Sequence, residues 1–124
     1  MNKNSFFKKE NYFDLLIKNK NIGICSYDSG GANVINSLIK RKGIKPKKYF
    51  INGPAKIIFN KKKNIDNKLD FDILISSTGT SDFEKKIINK CINRGIEVFC
   101  FFDHWTNYKQ RLILNKKILR PSYL

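Results

Sequence analysis

Asp103 and His104 stand side by side just past an apolar run, Glu97 to Phe102. A carboxylate beside an imidazole is a simple pair for moving a proton near neutral pH, so these two are the candidate acid/base groups. A second chemical stretch, Asp28-Ser29-Gly30-Gly31-Ala32-Asn33, follows the apolar run Asn21 to Cys25 and opens a helical pattern, Ala32 to Lys42. Adjacent glycines let the backbone approach a ligand, and free N–H groups at a helix start attract anions. Asp28 adds a carboxylate on the same turn. The third stretch, Ser77-Thr78-Gly79-Thr80-Ser81-Asp82, offers hydroxyls and N–H groups suited to phosphate or sugar hydroxyls. Trp105 and Tyr108 present flat faces for a sugar ring or a base.

Each of these residues also has a purely structural use. Asp28 can brace its own turn, and Asp82 suits the dipole of a first helical turn without any ligand. Ser81 and Glu84 have the S-x-x-E spacing of a capping box, in which Ser81 accepts from the Glu84 N–H and the Glu84 side chain reaches back. His104 can bond to backbone, and Trp105 and Tyr108 can serve as packing residues. The glycine pattern is neither G-x-G-x-x-G nor a P-loop, and the expectation is that no cofactor is held. Cys25, Cys91 and Cys100 are odd in number, widely spaced and set in apolar patterns, as reduced buried thiols are. With one His and no CxxC pair, no metal site is expected.

The elements that must position these residues alternate between strand and helix. Ser5 can cap a helix over Phe6 to Asn19, with Phe6, Phe13, Leu16 and Ile17 on one stripe. After the first strand, Val34, Ile35, Leu38 and Ile39 form the apolar face of the first crossover helix, and Gly43 sits where a left-handed cap belongs. A second strand, Tyr49 to Asn52, is followed by a short helix, Ala55 to Asn60, and by an exposed loop, Asn60 to Lys68, carrying Lys61-Lys62-Lys63. The third strand, Phe71 to Ser76, is nearly all apolar, as in a parallel sheet buried on both faces. Phe83, Ile87, Ile88, Cys91 and Ile92 mark the next helix, closed by Arg94-Gly95, and the fourth strand is Glu97 to Phe102. The tail reads as a hairpin or a helix continuation.

The expected fold is therefore α/β: a Rossmann-like three-layer sandwich on a mostly parallel sheet of about four strands, order 2-1-3-4. The chain divides into an N-terminal helix (1–20), the α/β core (21–107) and a tail (108–124), all within one domain. In such sheets ligands sit beyond the carboxyl ends of the strands, where the strand order reverses. That rule would gather Gly30, Gly31, Thr78, Gly79, Ser81, Asp82, Asp103 and His104 around one crevice.

The formal charge of +15 on 124 residues raises nucleic acid as a partner. Against it, Lys outnumbers Arg about five to one, whereas Arg is the better reader of phosphates and guanines. The Lys, Asn and Ile excess is the bias of an AT-rich gene. No apolar stretch approaches the roughly 20 residues of a membrane span, and the first residues lack the apolar core of a secretory signal. A cytoplasmic protein is expected.

Asp28-Ser29-Gly30-Gly31-Ala32-Asn33, then Ser77-Thr78-Gly79 with Ser81-Asp82-Phe83-Glu84, then Phe102-Asp103-His104-Trp105-Thr106-Asn107-Tyr108 resemble the amino-terminal half of bacterial glycosyltransferase-like proteins. These are similar to the GT-B and UDP-N-acetylglucosamine 2-epimerase superfamily and are associated with surface polysaccharide synthesis. The resemblance spans about Asn21 to Pro121, and D-H-W-x-N-Y is its most specific element. It implies a sugar or nucleotide-sugar in a cleft between two domains, contacted by Asp28, Ser29, Gly30, Gly31, Asn33, Thr78, Gly79, Ser81, Asp82, Trp105, Asn107 and Tyr108. Asp103 and His104 would be catalytic. The chain stops where the family's second domain would begin, so the resemblance implies an acceptor-binding half that needs a second domain, a partner chain or a homo-oligomer for catalysis. The competing expectations are a non-catalytic module for a phosphorylated ligand or a partner protein, and an electrostatic nucleic-acid binder.

Overall fold

The structure, a computed structural model, describes residues 13–60, 64–79 and 81–101, together with the backbone at 113–114 and 117–118. Four strands form one sheet: β1 (Ile22–Ser26), β2 (Lys48–Ile51), β3 (Ile73–Ser77) and β4 (Glu97–Phe101). Their order is β2-β1-β3-β4 and every pairing is parallel. This is the α/β, Rossmann-like topology that the sequence predicts. β1 and β3 are buried at every residue, because helices cover both faces of a parallel sheet.

Helical residues 13–17 (α1), α2 (Ser29–Lys42) and α3 (Ala55–Ile58) pack on one face, where Phe13, Ile24, Ile35, Leu38, Ala55, Phe59 and Ile75 form a core. On the other face α4 (Asp82–Asn93) packs Ile88 and Cys91 against Cys25, Leu74, Val98 and Cys100. The three thiols are free and buried, and burial pushes each above its ordinary acidity range. The crossover from β2 to β3 carries the single turn α3 and then irregular chain over residues 64–72. That chain is tied to β2 by Lys48, which pairs with Asp66 and lies 3.5 Å from Asp70.

Several local details differ from the sequence reading. The glycine stretch is not a loop ahead of the helix but its first turn. Ala32 N–H already bonds the Asp28 carbonyl at 3.0 Å, so helical pairing begins at Ser29. The buried face of α2 is Gly31, Ala32, Ile35 and Leu38, and Val34 is exposed. Gly31 lets the helix approach β3 so closely that a Cβ there would overlap Ser77, which rotates the inward stripe toward the glycine. Gly43 is the left-handed cap of α2, as expected, at φ 64°, and α4 closes at Arg94 with Gly95 following at φ 75°. In the tail, β5 (Ile113–Leu114) pairs antiparallel with β6 (Lys117–Ile118), the hairpin alternative.

Among the described residues no helix is long and apolar enough to cross a membrane.

Candidate functional site

β1 and β3 are neighbours whose following helices lie on opposite faces, so their carboxyl ends open at the reversal of strand order. The chemistry at that point is a pair of carboxyl groups, Asp28 and Glu84. Asp28 is the N-cap of α2 by backbone conformation, with φ −77° and ψ 148°, yet its side chain makes no capping bond. It turns instead toward Gly79. A Cβ on Gly79 would overlap Asp28 Oδ2 and lie 3.0 Å from Glu84 Oε1, so the two carboxyls face one another across the hydrogen of this glycine. Both oxygens lie so near this one point that they are no more than about 5 Å apart, a range in which like charges shift each other's acidity.

Glu84 is only 1% exposed. Its Oε2 accepts from Ser77 Oγ, and Ser77 Oγ lies 2.8 Å from Ser26 Oγ, both hydroxyls being buried. Glu84 Oε1 has no hydrogen-bond partner among the described residues. The N–H groups of Tyr27 and Gly79 stand near enough to favour the ionised form, but without bonding geometry to Oε1. Burial, joined by the Asp28 carboxylate, outweighs the Ser77 hydrogen bond and these two N–H groups and pushes Glu84 up to about 7. Glu84 therefore changes protonation state near neutral pH. The same charge helps to hold the buried Cys25 and Cys100 thiols protonated, which removes them as nucleophiles.

The structure places the other sequence-derived residues as follows. Ser29, Gly30 and Asn33 are exposed on the first turn and a half of α2, and Gly31 is packed on Ser77. Thr78 is buried, and its Oγ1 donates to the Phe101 carbonyl at 2.9 Å, joining the ends of β3 and β4. Gly79 is the spacer between the carboxyls. Ser81 caps α4 by accepting from the Phe83 N–H at 3.1 Å. Asp82 is exposed and lies 4.0 Å from Lys85. Asp103, His104, Trp105, Asn107 and Tyr108 lie outside the described residues, as do Thr80, the Lys61 to Lys63 cluster and the first twelve residues.

Glu84 is the residue that sequence reasoning assigned elsewhere. Its capping-box partner spacing is real, but Ser81 takes the Phe83 N–H and the Glu84 side chain turns inward to Ser77. The signal was in the stripe: residues 84, 88 and 91 share one helix face, and 88 and 91 are apolar. A carboxylate at the head of an apolar stripe is a buried carboxylate. Ser26 and Ser77 were visible as polar residues ending otherwise apolar strands.

Among the described residues no cluster of His, Cys, Asp and Glu is large enough to hold a metal ion. Asp28 can accept hydrogen bonds at this strand end, and Glu84 can hold or release a proton behind it. Comparison with family models, with curated proteins and with solved structures returns no match to the chain.

Proposed function

We propose that the cleft at the carboxyl ends of β1 and β3 takes a sugar, and that the chain is the sugar-binding half of a glycosyltransferase-like protein, as its three motif stretches imply. The observation that carries this reading is the Asp28–Glu84 pair with Glu84 Oε1 unpartnered. Carboxylates at a switch point are acceptors for ring hydroxyls. They also decide which part of a nucleotide-sugar faces the floor. A phosphate about 4 Å from Asp28 would be repelled by about 4 kcal/mol at an effective dielectric of about 20. The α2 N-terminus returns only about 0.3–1 kcal/mol. Repulsion wins, so the hydroxyl-bearing ring belongs at the carboxyls and any phosphate lies farther out. Glu84, poised near neutrality, gives or takes a proton without leaving its Ser77 bond, and Asp103 and His104 are the further acid/base groups of this reading.

Titration of the isotopically labelled chain with UDP-sugars, sugar phosphates and free sugars, followed by amide NMR shifts, tests the proposal. Shifts concentrated at residues 28–31 and 77–79 are expected, with affinity about tenfold or more weaker in Asp28→Asn, the loss of one charge-assisted bond. Absence of shifts in both segments for all three ligand classes would overturn it.

A further inference from the structure

An open groove, away from the carboxyl pair, lies on the α4 face of the sheet and holds about 870 Å³. That volume is within the range of about 300–1,000 Å³ typical of small-molecule sites. It exists because the described residues of the crossover from β2 to β3 form no helix on this face. α3 packs on the opposite side, residues 64–72 return as irregular chain, and the space over β2 beside α4 stays open. The floor is apolar: Phe50 is 7% exposed, and Phe83 and Ile87 of α4 flank it. Lys90 and Arg94 continue the same α4 stripe, at intervals of three and four residues, and Lys68 faces them from the crossover chain. Neither Lys90 nor Arg94 has a carboxylate partner among the described residues. Asp70, the one acidic residue in the lining, is already engaged by Lys47 and Lys48, each at 3.5 Å. The groove thus joins an apolar floor to a cationic end.

We infer that this groove binds a small organic anion, with an aryl or alkyl body over Phe50, Phe83 and Ile87 and a phosphate, sulfonate or carboxylate head at Lys90 and Arg94. Body and head contribute separately: the body is removed from water against apolar side chains, and the head replaces the missing carboxylate partners. The site is independent of the sugar cleft, since Asp28 and Gly79 do not line it.

The test uses 1-naphthyl phosphate and hexyl phosphate as probes and inorganic phosphate as the body-less comparison, with amide shifts of the labelled full chain as the readout. Both esters are expected to give saturable shifts at residues 67–70 and along 83, 87, 90 and 94, and inorganic phosphate to bind at least about tenfold more weakly. The exposed double change Lys90→Glu with Arg94→Glu should weaken both esters by about tenfold or more. Lys18→Glu with Arg41→Glu, in the basic pocket at the C-terminal end of α2 on the opposite face of the sheet, should leave them unchanged. Equal affinity for inorganic phosphate and the esters would reduce the effect to the charge of the whole chain and overturn the inference, as would indifference to the Lys90 and Arg94 changes. Concentration-dependent self-association through the same residues, seen by sedimentation, would overturn it by naming a second copy as the occupant. Asp28→Asn should alter sugar binding and not ester binding, which separates the two sites.

Discussion

Gly79 has no conformational need to be glycine, since its φ is not in the left-handed region. Its value is the missing Cβ, which leaves room for Asp28 Oδ2 beside Glu84 Oε1. Gly79→Ala should therefore turn the Asp28 carboxylate away from Glu84 and lower stability by about 1 kcal/mol or less, because the atoms that must give are the ends of side chains. Urea unfolding midpoints check this, and a loss of several kcal/mol would mean that the Asp28 side chain cannot move aside. Asp28→Asn removes the carboxylate that, after burial, raises the Glu84 pKa, so Glu84 should ionise at lower pH.

Among the elements, β2 is a sheet edge, and its free backbone is covered by a side chain. The Asn64 carboxamide accepts from the Tyr49 N–H at 2.7 Å and donates to the Tyr49 carbonyl at 2.9 Å, taking the place of one residue of a neighbouring strand. Such covering is one way of blunting an edge against pairing with another chain. Asn64→Ala should cost about 1 kcal/mol and speed amide exchange at Tyr49, because its two bonds pass to water. Unchanged exchange at Tyr49 would contradict this. This device was not legible in the sequence, where Asn64 lies in a Lys- and Asn-rich run that reads as loop. The strands were legible because Ile22 to Ser26 and Ile73 to Ser77 are solid runs buried on both faces, and Gly43 and Gly95 announced the helix ends. Glu84 was misread because position 84 satisfies two rules at once: three residues after a cap, and four before the buried Ile88. The tertiary partner, Ser77 Oγ, exists only once β3 lies beside α4, and no local rule contains it.

For the molecule as a whole, the buried acid makes stability depend on pH. In the unfolded chain Glu84 loses its proton near the ordinary value of 4.5, and in the folded chain it keeps it until about 7. Between these values the folded state binds more protons, so raising the pH from about 4.5 to about 7 lowers the unfolding free energy, by up to about 3 kcal/mol. Below about 4.5 the contribution is fully present, and above about 7 it is gone. Denaturant unfolding of the natural chain and of Glu84→Gln across this window should give a difference that falls with rising pH and then levels. Asp66, whose pairing with Lys48 lowers its pKa, acts in the opposite sense and only at lower pH, so the two windows separate.

The carboxyl pair is tested most directly by ¹³C titration of the side-chain carboxyls of the three glutamates, with the Glu84 signal identified by its loss in Glu84→Gln. A midpoint near 7 that moves down in Asp28→Asn is the expected result. A midpoint near 4.5, the same with and without the Asp28 charge, would contradict the site.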